Sequence, residues 1–283
     1  MYWIYFAIIA LILFGLSRTL YIIASRSEDI PEWLFLITLN TTATIVSTII
    51  LISKIPESIT FESIIVGIFL GLLSTSGAIS LYRANATCSP SLVNIILGMN
   101  FIIPLTVGIF MLNERLNIYQ YVGLIFVILT VILSTIEGLR EGNRKFKISG
   151  ILYALITFFT WGLLGVIIKI AELVHILHSY ITCLLFMYIV ETISLVVYYR
   201  RHISYIRNIL TYIPGIIAGI FSCVGSYLAI ICYAIGEISI TSLILRFSFI
   251  IPTLFSIFHY REFGLYKLFL IVLSIISIVL LSL

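Results

Sequence analysis

Long apolar runs separated by short polar breaks dominate the chain. A bilayer core needs roughly 20 apolar residues per helix. Runs of that size lie at Tyr2–Ala24, Trp33–Ser53, Ile59–Tyr82, Pro90–Leu112 and Ile118–Ile136. A charged stretch from Glu137 to Lys147 follows, and a second set occupies Ile148–Ala171, Tyr180–Tyr199, Ile213–Ala234, Ile238–His259 and Tyr266–Leu283. The runs do not alternate apolar with polar residues, as barrel strands would. In lipid every backbone polar group needs an internal partner, so uninterrupted runs of this length read as helices. The pattern predicts an all-α integral membrane protein of ten transmembrane helices, with no soluble domain of any size.

Composition agrees with the pattern. Hydrophobic residues make up 61% of the 283, charged residues 10%, and the mean hydropathy is +1.22. A soluble domain is nearer half apolar and a quarter charged, so the lipid bilayer is the expected solvent and the cell membrane the expected location. The net charge of +4 is spread over short loops and builds no basic face, which excludes a nucleic-acid partner as an expectation. Cys88, Cys183, Cys223 and Cys232 show no paired spacing and read as small apolar filler. The first run is followed by Arg26, Glu28 and Asp29 instead of a small-residue cleavage site, so it reads as a span and not as a removable leader.

The charged stretch sits near the middle of the chain and divides it into residues 1–136, a linker 137–147, and residues 148–283. A shift of 148 residues superimposes Phe101-Ile102-Ile103-Pro104 on Phe249-Ile250-Ile251-Pro252. The same shift pairs Gly71 with Gly219, Gly77 with Gly225, Ala86 with Ala234, Ser91 with Ser239 and Glu114 with Glu262. One residue less aligns Phe14-Gly15 with Trp161-Gly162. Five spans per half is an odd number, so the halves must enter the membrane in opposite orientations. Inverted repeats of this kind are the plan of alternating-access carriers, which bind substrate between the halves near mid-membrane.

These residues resemble a known family. Each half is similar to the five-helix unit of the drug/metabolite transporter superfamily, in its ten-helix EamA-like branch. The resemblance lies in Phe14-Gly15 and Trp161-Gly162 in the first helix of each half, and in Pro104 and Pro252 in the fourth. It extends to Glu114 and Glu262, where the family commonly has Gly-Glu and this chain has Asn113-Glu114 and Arg261-Glu262. The resemblance implies a solute carrier with a cavity lined mainly by the first, third and fourth helices of each half. The branch is similar to exporters of amino acids, nucleotide sugars, phosphorylated sugars and drugs.

Ionisable groups inside a span are costly and are functional candidates by default. Arg246 lies about eight residues into the ninth span, and its repeat counterpart is Gly98, which would leave room for a substrate group beside the guanidinium. A planar five-donor fork suits a carboxylate or phosphate. Ser242 lies one turn earlier on the same helical face, and its counterpart is Asn94. Arg18 lies four residues beyond Phe14 and has Gly165 as counterpart; snorkelling to the interface is its competing reading. Glu191 is mid-span in the seventh helix, which the resemblance makes peripheral. Three readings stand for it: a partner of Arg246, a coupling group that carries a proton, or a contact with a second copy in a homodimer. Asn100, Trp161 and Tyr227 are further candidates for lining the path. Lys169, near its helix end, reads as a snorkelling lysine.

Other features read as structural. Pro104 and Pro252 each remove a backbone donor and would break their helices to shape a cavity. Glu114 and Glu262 would cap the positive end of the next helix. His175 and His178 read as loop histidines; no metal and no cofactor is expected. No paired-aspartate motif, nucleophile elbow or phosphate-cradling glycine loop is present, so an enzyme is not expected. Orientation divides two arguments: the odd-numbered loops hold eleven Lys and Arg residues against three in the even-numbered loops. Positive residues concentrate on the cytoplasmic side, which puts both termini outside, whereas the resemblance implies both inside. The expected function is secondary transport of a small solute, anionic or zwitterionic, such as an amino acid. The competing readings are export of apolar or cationic drug-like compounds and a non-transporting scaffold subunit.

Overall fold

The computed structural model describes residues 2–27, 29–53, 59–87, 93, 96–97, 99–141, 148–203, 209–252, 255 and 265–282. Among the described residues every regular element is helical: α1 (Tyr2–Arg26), α2 (Glu32–Ser53), α3 (Phe61–Thr87), α4 (Ile102–Thr106, continuing as a π-turn over Val107–Met111) and α5 (Ile118–Glu141). The second set is α6 (Ile148–Leu173), α7 (Tyr180–Tyr199), α8 (Ile213–Ile235, entered through a 3-10 turn Ile209–Tyr212), α9 (Ile238–Arg246, continuing as a 3-10 turn Phe247–Phe249) and α10 (Leu265–Ser282). Six of these, α1, α2, α3, α6, α7 and α8, are long and apolar enough to cross a membrane. Shorter apolar helices occupy Ile102–Met111, Ile118–Thr130 and Ile238–Pro252.

The outer surface is apolar. Ile45, Ile49 and Ile52 on α2, and Ile65, Phe69 and Leu72 on α3, each stand more than half exposed. A belt of this kind would associate in water and matches the hydrocarbon of a bilayer. Polar groups lie inside instead: Asn40, Ser47, Thr157, Thr182, Glu191, Ser242 and Arg246 are all buried.

The helices pack mostly across the two halves. α1 lies on α8 and α3 on α6; α2 lies on α8 and α3 on α7. Each pair becomes the other when residue numbers move by one half. α2 with α7, and α5 with α10, pair with themselves under the same exchange. Glycines make these close approaches feasible. A methyl added at Gly71 would sit 2.6 Å from the Met187 carbonyl oxygen on α7, and one at Gly219 would meet the Leu39 carbonyl on α2. Those contacts are the same contact 148 residues apart. Where α2 crosses α7, the hydroxyls of Thr44 and Thr192 hydrogen-bond each other at 3.1 Å, and they too are separated by 148 residues.

Two elements depart from uninterrupted spans. The fourth segment turns at residues 99–101 before α4 begins, and the ninth passes into a 3-10 turn at Phe247–Phe249. Each interruption lies about one turn before a proline, for a simple reason. Pro104 and Pro252 have no N–H for the carbonyl four residues back, which belongs to Asn100 and Ser248. Those two carbonyls lean on first-helix glycines: an added methyl at Gly162 would sit 3.1 Å from the Asn100 oxygen, and one at Gly15 2.7 Å from the Ser248 oxygen. The Phe/Trp-Gly and Pro positions of the two halves are therefore one interlocked device. A smaller correction concerns the linker: α5 runs on through Glu141, past the expected end at Ile136, while residues 142–147 lie outside the described residues.

Candidate substrate cavity

A cavity of about 220 Å³ lies between the helices of the two halves. α1 lines it with Phe14, Ser17, Arg18 and Tyr21, a spacing of i, i+3, i+4, i+7 that marks one helical face. α8 does the same with Ser222, Ser226, Ala229, Ile230 and Tyr233. Asn100, Trp161, Glu191, Ser242 and Arg246 also line it, so the structure brings six of the singled-out side chains to one place, Arg18 included. Tyr227 is not among them. It falls beside Ser226 on the adjacent face of α8 and packs into the core around Leu177, Ile181 and Leu184, which corrects the expectation that it lines the path. Asn94, Gly98, Cys88 and Glu262 lie outside the described residues.

Arg246 closes α9 and is 5% exposed. Its position at a helix C-terminus sets the guanidinium against the negative end of the peptide dipoles. One terminal nitrogen, Nη1, donates to Asn100 Oδ1 at 2.9 Å, linking the two interrupted segments. Its Nε has no hydrogen-bond partner among the described residues. Arg18 lines the same cavity, so two like charges face it and the snorkelling alternative does not hold.

Glu191 is 4% exposed and leaves Oε1 without a partner, while Ser74 on α3 lines the same cavity. The described residues contain one ion pair, Arg83 with Glu32 at 3.8 Å, and neither residue is part of the cavity lining. Glu191 therefore does not pair with Arg246. α7 keeps an exposed apolar face at Ile193, Val197 and Tyr198, as a peripheral helix would, but it packs on α2 and α3 with Glu191 turned inward to the cavity, so Glu191 does not face a second copy. The cavity thus holds two guanidiniums and one carboxylate, none in an ion pair.

The room expected opposite Arg18 is already taken. An added methyl at Gly165 would sit 2.6 Å from Tyr233 Cε1, so the ring of Tyr233 fills that space and becomes a lining residue. Asn40, Ser74, Tyr188 and Tyr233 line the cavity without having been singled out from the sequence. The signal for Asn40 in the sequence is the same as for Asn100, an amide within a span. Ser242 lines the cavity while its hydroxyl donates to the Ser239 carbonyl one turn back, at 2.7 Å.

Two charged groups prove structural in a way the sequence did not specify. Glu114 caps a helix, but not the next one: its Oε1 and Oε2 accept from the N–H groups of Ile238 and Ser239, at 2.8 and 3.0 Å, at the start of α9 in the other half. Lys169 does not reach outward. Its ammonium donates to the carbonyls of Gly236 at 2.7 Å and Ala234 at 3.2 Å, just where α8 ends.

A search of curated proteins finds no match to this chain. Among solved structures 28 chains match. One of them, a crystal structure, shares the fold with a TM-score of 0.77 at 14% identity, over 98% of this chain and 95% of its own. Residues 1–136 match the model of the EamA-like transporter family. The chain is thus an all-helical, multi-pass membrane protein whose residues 1–136 are similar to the EamA-like transporter family, in keeping with the resemblance to the drug/metabolite transporter superfamily.

Proposed function

We propose that the protein is a secondary transporter that carries a small anionic or zwitterionic metabolite by alternating access. The two halves, residues 1–136 and 148–283 joined by 137–147, act as inverted repeats that rock about the cavity. The observation that carries this reading is the charge of the cavity: Arg18 and Arg246 both line it, and neither is in an ion pair. Removing a guanidinium from water without a counter-charge is unfavourable, and an acid group on the substrate would offset it. Arg246 is suited to that task because its Nη1 is held by Asn100 while Nε remains without a partner.

The inverted-repeat reading is supported by the reciprocal packing of α1 on α8 and α3 on α6, and by the Thr44–Thr192 hydrogen bond. Interrupted helices at mid-membrane are a recurrent way to build a carrier's binding site, since backbone that leaves the helix there must line a cavity or be buried in protein. A cavity of about 220 Å³ is small beside the ~300–1,000 Å³ of drug-sized pockets, which favours a metabolite over a drug-like compound.

The test is uptake of labelled small acids into liposomes that contain the purified protein. Arg246→Ala should lower the initial rate by at least about tenfold, the loss expected when one charge-assisted contact worth ~1.4 kcal/mol or more disappears. Transport at the unmodified rate would remove Arg246 from the site.

A further inference from the structure

We propose that Asn40 and Glu191 form a second subsite in this cavity, one that receives a hydrogen-bond donor, ammonium or hydroxyl, carried by the same substrate whose acid group Arg246 and Arg18 hold. This rests on the anion reading of the cavity and narrows it from any small acid to an acid that also bears a donor.

Both side chains line the cavity, and both are deeply buried, Asn40 at 1% exposed and Glu191 at 4%. Each presents an oxygen with no donor: Oδ1 of Asn40 and Oε1 of Glu191. The amide of Asn40 is oriented by its other end, since Nδ2 donates to the Leu36 carbonyl at 3.0 Å. Rotating the amide by half a turn would set its oxygen against that carbonyl, acceptor against acceptor, so the oxygen is the atom presented. Glu191 is buried in the same lining, beside which Ser74 of α3 also faces the cavity.

The two acceptors flank one helix crossing. Thr44 and Thr192 join α2 to α7, the Thr44 hydroxyl also reaching the Asn40 carbonyl at 2.8 Å, and Glu191 is the neighbour of Thr192 in the chain. A donor close to Glu191 in the chain is otherwise engaged. Tyr188 gives its proton to Ser226 at 3.0 Å.

The opposite requirement collects elsewhere in the same cavity. Arg246 Nε and Trp161 Nε1 are donors without acceptors, and Arg18 lines the same cavity. Lone donors and lone acceptors thus share one small cavity without meeting each other. A buried polar group left unpaired is unfavourable, so a molecule with an acid at one end and a donor at the other satisfies both sets at once. A plain carboxylate satisfies only the arginines. A site built to hydrogen-bond a substrate group rejects the analogue that lacks it, because its own buried groups are then left unpaired.

The experiment measures binding of four matched probes to the purified full chain in lipid nanodiscs: butanoate, 2-hydroxybutanoate, 2-aminobutanoate and sec-butylamine. Each is measured on the unmodified protein and on Asn40→Leu, Glu191→Gln and Arg246→Gln, with ligand-free melting temperatures to show that each variant is folded. At least one donor-bearing acid should bind at least tenfold tighter than butanoate, and that advantage should fall below about threefold in Asn40→Leu and in Glu191→Gln. An advantage for the amino acid that Glu191→Gln removes more completely than Asn40→Leu identifies the donor as ammonium; equal losses identify a hydroxyl. Butanoate binding as tightly as its donor-bearing partners overturns the subsite while leaving the anion reading intact. Binding of the amine alone, lost in Glu191→Gln and unchanged in Arg246→Gln, overturns the anion reading while keeping the acceptor pair. A donor advantage that persists in both Asn40→Leu and Glu191→Gln assigns the donor to other residues and ends the proposal. The absence of binding by all four probes ends both.

Discussion

Substituting Glu114 should loosen the contact between the two halves. Its carboxylate accepts from the Ile238 and Ser239 N–H groups at 2.8 and 3.0 Å. Both residues are fully buried, so no solvent stands ready to replace the acceptor. In Glu114→Ala two backbone donors lose their partner, at about 1–3 kcal/mol each. The first turn of α9 also loses a favourable charge at its positive end, about 0.3–1 kcal/mol. The total is about 2–7 kcal/mol, the lower figure applying if neighbouring side chains or water move in. Glu114→Gln keeps one carbonyl oxygen for one N–H but turns an NH2 group toward the other, and should cost about half as much. At roughly 2–4 °C per kcal/mol, thermal unfolding of the purified protein should shift down by about 5–28 °C in the alanine variant and by less in the glutamine variant. Equal melting temperatures for unmodified protein and Glu114→Ala would refute the capping argument, because no local rearrangement short of a new acceptor leaves two buried donors without a cost.

Other consequences follow from local geometry. Asn113 has a φ of 54°, in the left-handed region, where a β-branched residue costs about 1–2 kcal/mol; Asn113→Val should lower the melting temperature, while Asn113→Gly should leave it equal or raise it. Lys169→Met should destabilise by about 1–2 kcal/mol, seen by thermal unfolding, because the carbonyls of Ala234 and Gly236 lose a charged donor at the end of α8. Gly71→Ala should cost about 1–3 kcal/mol or more, since the new methyl would lie 2.6 Å from the Met187 carbonyl and α3 would have to part from α7. A Gly71→Ala protein as stable as the unmodified chain would show that the helices can separate freely there.

Much of the architecture could be read from one-dimensional pattern because lipid imposes it. Apolar runs of the required length mark the helices, and the repeated Phe-Ile-Ile-Pro marks the two interrupted segments. The meaning of Asn113, a departure from the Gly that the family commonly has before its Glu, becomes clear once its φ is known: Asn is the side chain that best tolerates the conformation Gly otherwise supplies. What the sequence could not convey was which half each side chain would meet. Glu114 and Lys169 sit at predicted helix ends, yet their partners lie 124 and 65 to 67 residues away. The placement of Tyr233 against Gly165 has the same origin, because helix faces set the inward direction only after the neighbours are known. Asn40 is instructive in another way. No motif around it sets it apart from other span amides, although burying an amide oxygen without a donor is unfavourable.

The most direct test of the account is ligand-induced stabilisation of the purified protein, compared with Arg246→Gln. Amino acids, other organic acids, phosphorylated sugars, nucleotides and cationic drugs would each be screened by thermal unfolding. A ligand at a hundred times its dissociation constant stabilises by about 2.7 kcal/mol, a shift that such a screen resolves. The account predicts stabilisation of the unmodified protein by a small acid and its loss in Arg246→Gln, because that guanidinium lines the cavity with Nε unpartnered. Stabilisation by cationic compounds alone, equal in the two proteins, would contradict it.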